Sequence, residues 1–366
     1  MSAGPTEEIQ ASGARLAWFL FAAYLLLVVY ASLSPFTGWR PPPGDPAAFL
    51  TASWPRYWTW FDLAINVVAY VPAGLLLALA LMSHMRRDGA LLGAVLLGGL
   101  ISLGFEFAQA FLPGRFSSNL DLAMNVSGAF VGALIAVRTG NLDFVWRRFA
   151  SARGLFRPGA HADLGLALLA LWLFSQLDPS LPLLGNIGMP EGMGASINEI
   201  SRPARFSFLE MGAVMLTLFA VGLVLTLVVR RPALALISTV AMVVTAALIK
   251  LLFGLALLKP EARFEWISRE VWIGAGYALA LLALCTMLPD RRRRTVCAVA
   301  SLALITMTLV FSPEPGDPAF LKLFNWHYGQ LLNFTGLART VARAWPFLVL
   351  GWLYLGRSRN PRPEIH

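Results

Sequence analysis

Six polar side chains lie within or at the ends of otherwise apolar runs: Asn66, Glu106, Gln109, Arg115, Asp121 and Asn125. A carboxylate placed in a bilayer costs about 2.5–3.5 kcal/mol even on a lenient insertion scale, so Glu106 is a functional candidate on energetic grounds. Two chemistries fit the set. Glu106, with Asp121 as the second catalytic candidate, would serve as a general acid or base toward a bound headgroup. Alternatively the amides and the planar fork of Arg115 would bind oxygen-rich or anionic groups without reacting with them. Purely structural roles also fit. Glu106 would pair with Arg115 or accept hydrogen bonds from Asn66 and Asn125, and Asp121 would be a first-turn carboxylate favoured by the helix dipole.

The spacing distributes these residues over three successive apolar segments. With 1.5 Å of rise per residue, Asn66 lies ~9 Å from the start of its helix, Glu106 ~9 Å from the end of the next, and Asn125 at a similar depth in the third. Asp121 sits ~6 Å nearer the end than Asn125. Three helices are thus expected to deliver polar groups to one level. Asp121, Asn125, Gly128 and Gly132 fall on one stripe, and Gly128-x-x-x-Gly132 would let two helix backbones approach closely. Ser102, Glu106 and Gln109 share a face of the preceding helix. Pro72 frees a backbone carbonyl near residue 68, Gly74 leaves space for a neighbour, and Pro113–Gly114 breaks the chain before Arg115.

Composition sets the solvent in which this arrangement forms. Of 366 residues, 57% are hydrophobic and only 13% charged, about half the charge of an ordinary soluble domain. Apolar runs of about 20 residues, the length that crosses a bilayer, recur along the chain. The expected fold is all-α and polytopic, with about ten transmembrane helices near 16–34, 60–83, 90–112, 119–137, 164–183, 208–229, 233–258, 271–289, 296–312 and 343–356. Segment 16–34 is read as a retained helix, because its apolar run exceeds that of a secretory signal. Charge orients the chain. With both termini inside, the inner segments hold 17 cations against seven acids and the outer ones 11 against 13, which satisfies the positive-inside rule. The pI near 10.1 therefore reflects orientation and contact with anionic lipid, not nucleic acid. Arg291–Arg294 is read as a topology anchor. Cys285 and Cys297 are read as packing residues, and the four His and two Cys lack metal-ligand spacing, so neither metal nor cofactor is expected.

Three segments follow from the pattern: a four-helix membrane domain (1–137), a basic cytoplasmic linker (138–163) and a six-helix membrane domain (164–366). The outer loops carry Trp39, Trp54, Trp58, Trp60, Trp266 and Trp326, as an interfacial aromatic belt would. Residues 319–332, with Phe320, Phe324, Leu331 and Leu332 on one face, suit a helix lying on the outer leaflet. Gln176 and Asp178 stand at a helix end, and Lys250 is expected to snorkel, with pairing to Asp178 or Glu210 as the alternative.

Taken in order, Asn66-V-V-A-Tyr70-V-Pro72-A-Gly74, Glu106-F-A-Gln109, Gly114-Arg115, Asp121 and Asn125-V-S-Gly128-A-F-V-Gly132 resemble the VanZ-like family of bacterial membrane proteins. The ending Tyr30-A-S-L-S-Pro35-Phe36 is similar as well. Tyr70 stands where that family usually has Phe, and Ser117, Ser118 and Asn119 where members often carry a further acid. The family is named for a protein associated with teicoplanin resistance. The resemblance implies a multi-pass protein of the bacterial inner membrane, in a cell-envelope setting linked to antibiotic resistance. Its expected partners are membrane lipids or lipid-linked glycans, in a binding or accessory role. The alternatives are a headgroup-modifying enzyme built on Glu106 and a lipid transporter.

Overall fold

A computed structural model describes residues 5–34, 36–139, 152–178, 183–184, 207–264, 266–311 and 329–357. Ten α-helices run through them: α1 (Pro5–Leu33), α2 (Trp60–Leu81), α3 (Arg87–Gln109), α4 (Asn119–Thr139), α5 (Ala160–Ser175), α6 (Phe208–Val228), α7 (Leu234–Leu257), α8 (Arg269–Thr286), α9 (Asp290–Phe311) and α10 (Gly329–Arg357). Among the described residues there is no strand beyond an isolated bridge between Phe156 and Val229. Eight helices (α1–α4 and α6–α9) are long and apolar enough to cross a membrane. The protein is an all-α, multi-pass membrane protein. At 16 residues α5 is shorter, and Arg339 and Arg343 interrupt the apolar run of α10.

The chain divides into two compact units, Met1–Gly154 and Leu155–His366. In the first, α2 starts in a capping box: Thr59 Oγ1 accepts from Asp62 N at 3.1 Å, and Asp62 Oδ2 accepts from Thr59 N at 3.2 Å. α3 was expected to reach Leu112 but ends at Gln109. Ala110, Phe111 and Leu112 close tight i→i+3 bonds instead, ahead of Pro113 and of Gly114 at φ +84°. α4 is packed against α2 through glycine. A Cβ added to Gly128 would lie 2.2 Å from Val67 O, one on Gly132 2.0 Å from Val71 O, and one on Gly74 2.0 Å from Ala129 O. The three glycines let carbonyl groups of one helix touch the backbone of the other, which no larger residue permits. The seam continues down the bundle to a small apolar core of Leu77, Ala78, Leu81, Ala90, Ala94, Ala133 and Ala136.

In the second unit α6 is buried along most of its length. Gly222 receives Leu282 of α8, and Gly274 of α8 lies against Met211 O. Trp345 Nε1 donates to Leu168 O at 2.8 Å and Trp352 Nε1 to His161 O at 2.7 Å, so two of the core indoles keep their polar edge satisfied. Arg293 differs from the rest of the basic run. It is buried, and its Nη1 donates to Thr226 O at 3.1 Å near the C-terminal end of α6 while Nη2 reaches Asp290. A cation there also complements the helix dipole.

Apolar length located α2, α4, α6 and α7 to within about two residues. It misplaced other ends because a helix can continue beyond its apolar part. α1 begins at Pro5, not 16, and α10 at Gly329, not 343. α5 ends at Ser175, not 183, where Gln176 and Leu177 turn with i→i+3 bonds. Residues 319–328 of the outer-leaflet segment, Trp326, and 140–151 of the basic linker lie outside the described residues.

Candidate functional site

Each of α2, α3 and α4 contributes polar residues one helical turn apart, so that they project on the same face. The pairs are Asn66 and Tyr70 on α2, Ser102 and Glu106 on α3, and Asp121 and Asn125 on α4. They meet near the end of the unit where α2 and α4 begin and α3 finishes, in two tiers.

The tier nearer that end is carboxylate-rich. Asn66 Nδ2 donates to Asp121 Oδ1 at 2.9 Å, joining α2 to α4. Glu106, only 3% exposed, accepts from the Ser118 backbone N–H at 2.8 Å through Oε2, while Ser117 Oγ donates to Glu106 O at 2.5 Å. Ser118 in turn opens α4, its Oγ accepting from Leu120 N at 3.2 Å and Asp121 N at 3.3 Å. The deeper tier is neutral. Asn125 Nδ2 donates to Ser102 Oγ at 2.9 Å, and Tyr70, buried on α2, packs against Gly128 of α4. Asn125 Oδ1 is buried without a partner.

Two expected contacts are replaced by others. Glu106 pairs with neither Arg115 nor the two asparagines. Arg115 instead turns to the end of α1, its Nη2 donating to Ala31 O at 3.1 Å and Ser34 O at 3.0 Å. Gln109 does likewise, through Nε2 to Ser32 O at 3.1 Å. The last turn of α1 leaves carbonyls unpaired, and these donors satisfy them. Arg115 is half-buried, and that burial lowers its guanidinium pKa from the ordinary value. Asn66 and Asn125 occupy successive tiers, not one plane, because Asp121 and Asn125 sit a full turn apart and select different partners.

Sequence spacing left Asp62, Tyr70 and Ser118 out of the candidate set. Their signals were present: Thr59-x-x-Asp62 is a capping-box pattern, Ser118 precedes an Asp-containing first turn, and Tyr70 lies four residues from Asn66. Among the described residues, no group of three or more His, Cys, Asp or Glu side chains is placed to hold a metal ion.

The second unit has its own buried ionic group. Lys250 does not snorkel: it is 0% exposed, and its Nζ donates to Asp178 O at 2.7 Å. Asp178, also fully buried, pairs with Arg339 Nε at 2.8 Å. Glu210 instead accepts from Ser268 Oγ at 2.8 Å. Gln176 Oε1 receives Leu184 N at 3.2 Å. Arg339 precedes the apolar run at 343–356, so hydropathy alone does not show that it shares a helix with Arg343.

Exposed aromatic residues cluster in sequence around the polar end of the first unit: Trp39, Trp54, Tyr57 and Trp58 before α2, Trp60 at its first position, and Phe116, 88% exposed, between α3 and α4. Residues 16–141, from within α1 to just beyond α4, match the family model described as VanZ/LLP1. The N-terminal four-helix region is VanZ-like, as its motifs indicate, and the match leaves the remainder of the chain uncovered. No curated protein and no solved structure matches the chain.

Proposed function

We propose that the N-terminal unit binds the polar headgroup of an outer-leaflet lipid or lipid-linked glycan in the bacterial cell envelope, in a non-catalytic or accessory role. The observation that carries this reading is the two-tier polar site, built from an i, i+4 pair on each of three membrane helices. With both termini inside, the end of the unit that holds this site faces outward. The exposed Trp, Tyr and Phe side chains flanking it in sequence suit the headgroup layer, where aromatic rings with polar edges settle.

The pattern of bonds supports binding over chemistry. Glu106 is held by a backbone N–H and Asp121 by an amide, both neutral and static partners. Neither carboxylate is hydrogen-bonded to a His, Cys or Ser side chain that would act as an activated nucleophile. Arg115 uses one guanidinium nitrogen on α1 and keeps other donors for a phosphate or carboxylate at the rim. In this reading, glycopeptide susceptibility would change through sequestration or presentation of an envelope precursor.

The test is lipid mass spectrometry of the detergent-purified full chain, comparing wild type with Arg115→Ala and Asp121→Asn. A co-purifying envelope lipid depleted in both variants supports the reading, provided that melting temperatures confirm folding. Equal lipid profiles in all three proteins would overturn it. Turnover of the retained lipid by wild type, lost in Glu106→Gln with retention intact, would favour the enzyme alternative.

A further inference from the structure

We infer that the carboxylate tier of this site receives a protonated amine, carried on the headgroup that the binding reading assigns to it.

The first observation is an excess of negative charge. Glu106 and Asp121 are both anchored on Ser118, Glu106 by its carboxylate on the backbone N–H and Asp121 by its backbone N–H on the hydroxyl. The cation nearest in sequence, Arg115, is hydrogen-bonded to carbonyls at the end of α1 and to neither carboxylate. Among the described residues, one oxygen of each inner carboxylate, Glu106 Oε1 and Asp121 Oδ2, accepts no hydrogen bond. Buried like charges without a counter-charge are costly, and a bound cation relieves that cost.

The second observation is independent of charge. Asn125 is 7% exposed, and its Oδ1 accepts nothing, although its Nδ2 is bound to Ser102. A buried carbonyl oxygen without a donor costs about 1–3 kcal/mol. Asn125 lies one turn further along α4 than Asp121. Carboxylate oxygens and this amide oxygen all ask for donors, and none of the three can give one when the acids are ionised.

The chemistry narrows the occupant. A sugar or glycerol hydroxyl would fill an acceptor but leave the Glu106 and Asp121 carboxylates uncompensated. A bare metal ion needs converging ligands, and the acids are not so placed. An ammonium group has three N–H donors and one positive charge, which meets both deficits. A phosphate on the same headgroup would fall to the spare donors of Arg115, so a zwitterionic phospho-amine uses both ends of the site.

The amine could reach the site on a lipid or as a small soluble molecule, and the experiment separates these sources. Full-length protein in detergent is titrated with phosphatidylethanolamine, with its N-acetylated derivative and with free ethanolamine, reading thermal stabilisation and retained lipid. The expected result is binding of phosphatidylethanolamine at least ~tenfold tighter than its N-acetyl form, the size of one lost charge-assisted bond. Glu106→Gln and Asp121→Asn should each reduce that discrimination. Stabilisation by free ethanolamine at comparable concentration would assign the amine itself as ligand, and its failure would assign the lipid. Equal binding of the amine lipid and its N-acetyl form would overturn the inference and leave headgroup binding standing. If neither lipid binds and no envelope lipid co-purifies, the binding reading falls and the amine inference falls with it. The wild-type comparison decides the matter even where a variant does not fold.

Discussion

Asn66 Nδ2 reaches Asp121 Oδ1 at 2.9 Å directly above the seam where Gly128 meets Val67 O. The hydrogen bond and the glycine contact join the same two helices, so α2 and α4 are fixed in both separation and register. Substituting Asn66→Ala or Asp121→Ala should each destabilise the first unit, and a double-mutant cycle should return a coupling of about 0.6 kcal/mol, the average between membrane helices, and no more than about 1.7 kcal/mol. Unfolding in mixed micelles measures it. A coupling indistinguishable from zero would mean that the contact is incidental to the α2–α4 pairing.

The glycines themselves give a sharper contrast. A methyl group on Gly132 would fall 2.0 Å from Val71 O, a backbone atom that cannot swing aside. Gly132→Ala should therefore force the helices apart and cost about 1–3 kcal/mol. Gly104, on α3, has nothing within 4 Å of its would-be Cβ, and Gly104→Ala should be neutral or gain up to ~1 kcal/mol in helix propensity. Comparable losses at both positions would contradict close backbone packing at the seam.

The seam was legible in the sequence because Gly128, Gly132 and Asp121 repeat at helical spacing, a pattern that depends only on 100° per residue. Fold class was legible for a similar reason, since apolar length alone marks a span. Partner choice was not. Whether Glu106 takes Arg115 or a backbone N–H depends on where the turn at 110–118 places its two ends, and periodicity holds no information about turns. Lys250 shows the same gap in the second unit. Its depth favours snorkelling over pairing, and only the fold brings the carbonyl of Asp178, 72 residues away, onto its ammonium. The boundaries of α1 and α10 were obscured because their first turns are polar, and hydropathy registers lipid contact instead of helicity.

Ser118 ties the site to helix formation. Its hydroxyl caps α4 while its backbone N–H holds Glu106. Ser118→Ala removes the cap and keeps the backbone donor, so it should cost about 1 kcal/mol of stability and leave lipid retention nearly unchanged. Ser118→Thr should restore most of the loss. Retention that collapses in Ser118→Ala while the melting temperature holds would instead place the hydroxyl in contact with the ligand.

Asp178 anchors the second unit by accepting from two cations in the interior, Arg339 through its carboxylate and Lys250 through its carbonyl. Asp178→Asn preserves shape and the backbone carbonyl but removes the negative charge between them. Removing one partner of a buried ion pair costs about 3–5 kcal/mol, and because Arg339 is only partly buried the loss should fall toward the lower end. Lys250→Met removes a cation and leaves Asp178 paired with Arg339, so it should cost less than Asp178→Asn. The combined Asp178→Asn, Lys250→Met protein should recover part of the loss, because one of the stranded charges is then gone. Denaturation of the purified full chain measures this ordering. If Lys250→Met proved the more damaging change and the double variant showed no recovery, Asp178 would not be the charge that compensates Lys250.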